Sequence, residues 1–184
     1  VTVFFTSDTH FGDHRVIFMY GRPFATTGEM DEFMIARWNE KVDPGDTVWH
    51  LGDFAVRASE RHVDDLLMRL NGRKHLITGN NDAPAVLKSA GWDSVAAYAE
   101  IEEDGTKLVL CHYAFRTWNG MHRKALNLHG HSHGRLAPMP RQFDVGVDAW
   151  DMRPVTLAEI LASRPARKPS KKKGAVQAPL PLDE

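Results

Sequence analysis

The sequence predicts an α/β protein in which strands and helices are mixed along one domain. Three observations lead there. Short apolar runs recur ("VTVFF", "TVWHL", "RKHLIT", "TKLVL", "ALNL"), each too brief for a helix. Between several of them the apolar residues return at helical spacing. Most of the runs also stop on a small polar cluster rather than on a plain turn.

The elements follow in order. "VTVFFTSD" (1–8) reads as a buried strand ending on a carboxylate. "GEMDEFMIARWNEKV" (28–42) places Met30, Phe33, Met34, Ile35, Trp38 and Val42 close to a 3.6-residue period, so it is a helix. "DPGD" is a turn, and "TVWHLGD" (47–53) is a second strand ending on Asp. "ASERHVDDLLMRL" is helical and stops at Asn71-Gly72; "RKHLITGNND" (73–82) is a third strand. "APAVLKSAG" makes a short helix closed by glycine. "VAAYAEIEEDGTKLVLCHY" (95–113) reads as a single hairpin turning at Asp104-Gly105. "ALNLHGHSH" and "RQFDVGVDAW" supply two more strands, and "TLAEILAS" a last helix.

Composition narrows the class. A chain of 184 residues, 42% hydrophobic and 26% charged, is an ordinary globular domain able to bury a core. One cysteine, Cys111, excludes an intrachain disulfide framework and predicts a reducing, cytoplasmic setting. Cys111 adjoins His112 on a strand, is expected to face away from it, and receives no role. No apolar run approaches the roughly 20 residues of a membrane span, and no signal peptide is expected. From residue 163 onward six basic residues stand against two acidic ones; the rest carries 17 basic against 22 acidic. An acidic body argues against a nucleic-acid-binding module led by the basic tail. The domain is therefore expected over residues 1–163, with 164–184 a disordered, Pro- and Lys-rich tail. Within it "QAPLPL" (Gln177 to Leu182) resembles the short Gln-x-x-Leu-x-Leu peptide that docks bacterial DNA-processing proteins on the sliding clamp, a contact suited to a tether.

The chemistry lies in the polar clusters. They are "SDTH" (Asp8, His10), "LGD" (Asp53), "GNND" (Asn80, Asn81, Asp82), "LCHY" (His112) and "GHSH" (His131, His133). Ligands of open α/β sheets bind beyond the carboxyl ends of the strands, where all five clusters can converge. In an extended segment Asp-x-His and His-x-His point both ligands to one side. Glycines 52, 79 and 130 permit tight turns and close backbone approach. Taken singly, Asp-x-His or Gly-Asp is as easily a turn. Their ordered recurrence, each after its own apolar run, indicates a metal site.

This order of motifs resembles that of the calcineurin-like metallophosphoesterases: Asp-x-His, Gly-Asp, Gly-Asn-His-Asp/Glu, His, Gly-His-x-His, over nearly all of residues 1–150. "SDTHFGDHRVIFMYGRPF" with "HLGDF" is similar to a compact bacterial and phage branch. The resemblance implies a four-layer α/β/β/α sandwich with mixed sheets, carrying two divalent ions. Manganese comes first, with Fe, Zn and Ni as alternatives, because oxygen and imidazole donors without thiolate suit such ions. Asp8, His10, Asp53 and His133 would hold one ion, and Asp53, Asn80, His112 and His131 the other, Asp53 bridging. Two ions about 3.5–4 Å apart share a hydroxide that attacks phosphorus.

One position departs from the pattern: the motif histidine is Asn81, which can donate a hydrogen bond to phosphate but cannot act as a general acid. Phosphodiesters, or esters with good leaving groups, are therefore expected to be favoured over alkyl monoesters, and the expected substrate is a nucleotide-like or other small phosphoester. His14 or His122 could replace the missing histidine, and Asp82 is expected to orient His112 or another ligand. Arg22 and Arg116 are candidate phosphate contacts. Trp118 is expected at the cleft, whereas Trp38, Trp49 and Phe54 belong to the core. His50, His62, His75 and His129 are expected to be structural or exposed. The rival readings are a phosphomonoesterase and a non-catalytic metal-binding scaffold of the same fold; the latter tends to lose ligands, whereas all seven positions are filled here.

Overall fold

The structure, a computed structural model, describes residues 1–163. The tail and its Gln177–Leu182 peptide lie outside the described residues. Strands β1 (Val3–Thr6), β2 (Thr47–His50), β3 (Arg73–Ile77) and β4 (Ser94–Ala96) run parallel, and β9 (Val155–Thr156) joins β1 antiparallel, giving a sheet of order β4-β3-β2-β1-β9. A second sheet has order β5-β6-β7-β8 from β5 (Ala99–Glu103), β6 (Thr106–Leu110), β7 (Leu126–His129) and β8 (Gln142–Asp144). Here β5 and β6 form a hairpin, while β6, β7 and β8 are parallel. Both sheets are mixed, as expected.

The expected single hairpin over 95–113 is two things. Its first run splits at Ala97-Tyr98: β4 completes the first sheet and β5 begins the second. Alternating apolar and polar residues run through both, so nothing local marks the change of sheet.

Three apolar clusters separate the layers. Phe4, Val48 and Leu76, on one face of the first sheet, pack against α1 (His14–Tyr20), α2 (Thr27–Lys41), α3 (Glu60–Arg69) and α4 (Pro84–Leu87). Phe5, Leu51 and Ile77 meet Leu108, Leu110, Leu126 and Leu128 between the sheets, joined by Leu157 and Ile160 of α5 (Leu157–Ala162). The outer face of the second sheet is covered thinly, by Trp118, Phe115 and the 3₁₀ turn Met121–Arg123. Trp118 is therefore packing, its indole donating to Ala125 O at 2.9 Å, and the expectation that it lines a cleft is corrected.

Helix ends follow side-chain chemistry. Thr26 and Glu29 form a capping box on α2, as Thr156 and Glu159 do on α5. On α2, Met30, Met34, Ile35 and Trp38 are buried, whereas Phe33 lies outside that face. No sequence reading anticipated α1, although its signals are plain: Asp13 caps the Arg15 N–H and Gly21 closes the helix at φ 67°. Only Val16 and Ile17 are buried on it, too few to give a helical period. Among the described residues no helix is long and apolar enough to cross a membrane.

Candidate metal centre

The parallel strands of both sheets deliver their C-terminal ends to one place. Asp8, His10 and His133 offer ligand atoms all within 4.8 Å of one another, and so do Asp53, His112 and His131. The two groups meet where His10 Nε2 lies 3.4 Å from Asp53 Oδ2; within the second group, His112 Nε2 lies 3.6 Å from the same oxygen. Asn80 Oδ1 is 3.1 Å from His112 Nε2. His133 Nε2 is 3.7 Å from Asp8 Oδ1.

The convergence does not come from extended pairs. β1 ends at Thr6, and beyond it Asp8 and His10 adopt φ 57° and 51°. Asp53, His131 and His133 are also left-handed, at 58°, 65° and 48°. Five of the seven candidate ligands thus hold a conformation that costs a non-glycine residue energy and clusters at functional sites. Neighbouring loops hold it in place: the N–H groups of Asp8, His10 and Phe11 donate to the carbonyls of Gly52, Asp53 and Phe54 at 2.9–3.0 Å. Glycine is required where these loops cross. At Gly52 (φ 94°) a Cβ would stand 2.6 Å from Gly79 Cα and 2.7 Å from His112 Nδ1; at Gly130 it would collide with the Ser7 hydroxyl.

Each side chain is then aimed by a partner. Leu51 O lies 2.7 Å from His112 Nδ1, which fixes that nitrogen as N–H and leaves Nε2 facing Asp53. Asp148 Oδ2 does the same for His133 Nδ1 at 2.6 Å. Arg22, its side chain fully buried, grips Asp148 through Nε and Nη2 at 2.8 Å each, and donates to the backbone oxygens of Asp8 and Thr9. Arg22 is therefore a bracket, not the phosphate contact expected of a loop arginine. Asp148 was missed in the sequence because "DVGVDAW" reads as a strand without a motif.

Asn81 and Asp82 also differ from expectation. The Asn81 donors are taken up within the protein: its backbone N–H and Nδ2 donate to Asp53 Oδ1 and Oδ2 at 2.8 and 2.7 Å. Asp82 orients no histidine. Its carboxylate accepts the backbone N–H groups of Asp53, Phe54 and Gly79 at 2.7–3.0 Å, tying the two loops together. His14, Arg116 and His122 are exposed, and none hydrogen-bonds or ion-pairs with either ligand group. Of the other histidines, His50 and His129 are buried, His75 is bonded to Ser94 Oγ, and His62 is exposed. Cys111 is buried and free. Tyr113, not singled out in the sequence, leans edge-on against both His112 and His131.

The electrostatics are those of a cation site. Burial pushes the Asp8 carboxyl well above its usual range, and the charges of Asp53 and Asp144 push it further. Burial acts in the same sense on Asp53, but the nearby imidazoles of His10 and His112 and the two bonds from Asn81 outweigh it and hold Asp53 below the ordinary range. Burial lowers His112 and His133, favouring neutral imidazoles, the form that ligates a metal. For Asp148, burial is outweighed by the bond to His133 and by Arg22, which keep it at about 2. His10 gives the sharpest test of fit: both its ring nitrogens are buried without a hydrogen-bond partner. Such a group is costly unless something takes its lone pair, and a divalent cation fits that need.

Comparison with known proteins agrees with this geometry. Residues 1–142 match the family model of the calcineurin-like phosphoesterase superfamily domain. The chain is 33% identical over 179 residues to the Gene 66 protein of Mycobacterium phage D29, covering 80% of this chain and 88% of that one. It is 28% identical over 163 residues to an uncharacterized protein of Methanocaldococcus jannaschii, covering 84% and 86%. A solved structure of a protein of unknown function from Aquifex aeolicus shares the fold, with a TM-score of 0.71 at 23% identity, covering 88% of this chain and 98% of that one. Strand ends, ligand types and family model together give one conclusion: the chain belongs to the calcineurin-like phosphoesterase superfamily.

Proposed function

We propose that the protein is a binuclear metal-dependent phosphodiesterase. Asp8, His10, Asp53 and His133 would hold one divalent ion; Asp53, Asn80, His112 and His131 would hold the other. The observation that carries this is His10, buried with neither ring nitrogen hydrogen-bonded, its Nε2 3.4 Å from Asp53 Oδ2 and its Nδ1 3.5 Å from Asp13 Oδ2, in a cluster where the charges of Asp8 and Asp53 repel each other. Imidazole and oxygen donors without thiolate suit Mn²⁺ first, then Fe²⁺, Zn²⁺ or Ni²⁺. Bound there, such ions supply Lewis acidity towards phosphoryl oxygens and lower the pKa of water.

The chain's own residues do the positioning. Leu51 O and Asp148 fix the tautomers of His112 and His133, and Asn81 holds both oxygens of Asp53, so the ligands are set before an ion arrives. Asn81 has no acidic proton to give, and neither His14 nor His122 hydrogen-bonds with either ligand group in its place. Leaving groups that depart as stable anions are then favoured, which supports diesters and activated esters over alkyl monoesters.

The test is to load the protein with Mn²⁺, count bound ions, and compare turnover of bis(p-nitrophenyl) phosphate with glycerol phosphate. Two ions per chain and faster diester hydrolysis are expected, with Asp53→Ala abolishing both binding and turnover. Faster monoester hydrolysis overturns the diester preference. Failure to bind any of Mn²⁺, Fe²⁺, Zn²⁺ or Ni²⁺ overturns the centre itself.

A further inference from the structure

The last residue of α1, Tyr20, lies flat on the His133 imidazole: ring centroids 3.5 Å apart, planes 8° from parallel. Above the other face of Tyr20 stands the Arg135 guanidinium, 4.6 Å from the ring centroid, anchored by a 2.6 Å bond from Nη2 to Met19 O. A planar cation over an aromatic face is attractive and holds the ring in place. On the His133 edge, Asp148 receives Nδ1 and is itself gripped by buried Arg22.

These contacts act on different freedoms of one side chain. The terminal torsion of histidine joins sp³ to sp² carbon and is broad, so no rotamer well fixes the plane of the ring. The Asp148 bond fixes the direction of Nδ1 and the tautomer, yet lets the ring rock about that bond. A flat partner at van der Waals distance blocks the rocking. The ring of His10, 5.4 Å away and tilted by 36°, is too distant and too oblique to do this. His112, by contrast, meets Tyr113 and His131 only edge-on, at 73° and 71°.

We infer that Tyr20 is a positioning residue for the Asp8–His10–His133 ligand group, clamping the plane of His133 so that Nε2 faces the ion, with Arg135 holding the clamp shut. The inference rests on the reading of these residues as metal ligands. It also gives α1 a function: the helix delivers Tyr20 on its last turn.

The experiment measures Mn²⁺ affinity calorimetrically, one position at a time. In a His131→Ala background, which weakens the other position, Tyr20→Leu should lower affinity about tenfold, within the range for loss of a ligand-orienting partner. Tyr20→Phe, which keeps the flat face, should restore it. In a His10→Ala background Tyr20→Leu should change nothing at the remaining position. The visible spectrum of the Co²⁺-loaded protein, which reads ligand geometry, should shift in Tyr20→Leu and return in Tyr20→Phe; a purely structural role would not produce that pattern. Equal affinity of Tyr20→Leu and its parent overturns the clamp, as does equal weakening at both positions. If Tyr20→Leu does not fold, the exposed Arg135→Ala decides: about threefold weaker binding in the His131→Ala background upholds the clamp, and unchanged binding overturns it. A parent chain that binds no Mn²⁺, Co²⁺ or Zn²⁺ removes the metal reading instead, a result distinct from all of these.

Discussion

At the scale of single residues, Gly52 shows how tightly the centre is built. It sits where the loop after β2 passes under the loop after β3, with space on neither side of its Cα. Alanine there would need a left-handed φ of 94° and would press on backbone atoms that cannot rotate away. Gly52→Ala is expected to destabilise the fold by about 2–4 kcal/mol, the cost of overpacking added to that of the strained φ; urea unfolding with and without Mn²⁺ checks it. A loss under 1 kcal/mol would show that the loops can part, and that their contact does not set the ligands. Asn81 teaches a related lesson. The sequence marks it as the place of a missing histidine, but not that both its donors would turn to Asp53, because that choice depends on a carboxylate 28 residues away in the chain.

At the scale of elements, α1 is the informative case. Its seven residues bury only Val16 and Ile17, so its stability leans on its ends. Asp13 accepts the Arg15 N–H, and the Arg15 side chain returns to the same carboxylate at 2.8 Å through both Nε and Nη2. Asp13→Ala should therefore cost about 1 kcal/mol and loosen the helix that presents Tyr20. Amide hydrogen exchange should rise over residues 14–21 and stay unchanged over α2, whose capping box is separate. Exchange rising equally in both helices would contradict that assignment. The signals for α1 were legible as Asp13 and Gly21, but a reading led by hydrophobic period passes over a helix whose Phe18 and Met19 face solvent. The change of sheet between β4 and β5 was not legible at all, since each strand fits either side of a hairpin by pattern alone.

At the scale of the whole molecule, the buried joint between the sheet ends makes folding sensitive to acid. His50, at the end of β2, has no exposed surface; Thr9 Oγ1 gives its one proton to Phe54 O at 2.8 Å, so its 2.9 Å contact with His50 Nε2 must be donated by the imidazole. His50 Nδ1 has no partner, and protonating it would place a charge where nothing receives it. Burial accordingly lowers His50 to about 3. The folded state takes up this proton less readily than the unfolded chain, so the stability it contributes is full above an unfolded value near 6.5 and is lost as pH falls from there towards 3. Metal-free protein should lose about 1.4 kcal/mol per pH unit to this group across that window. His50→Gln, which keeps a donor for Thr9, should flatten the limb; an equal slope in both proteins would assign acid sensitivity elsewhere. The sequence by itself determined the α/β class, most of the strands and helices, the family and the seven ligand candidates, because each is carried by residue type and by spacing within a few positions. Only the tertiary structure decided that Arg22 serves Asp148 and His133 rather than a substrate, that Asn81 clamps Asp53, and that Tyr20 lies on His133. Those are contacts between side chains more than a hundred positions apart, or between loops brought together by the pairing of β2 with β3, and no local pattern records which partner a buried polar group will find.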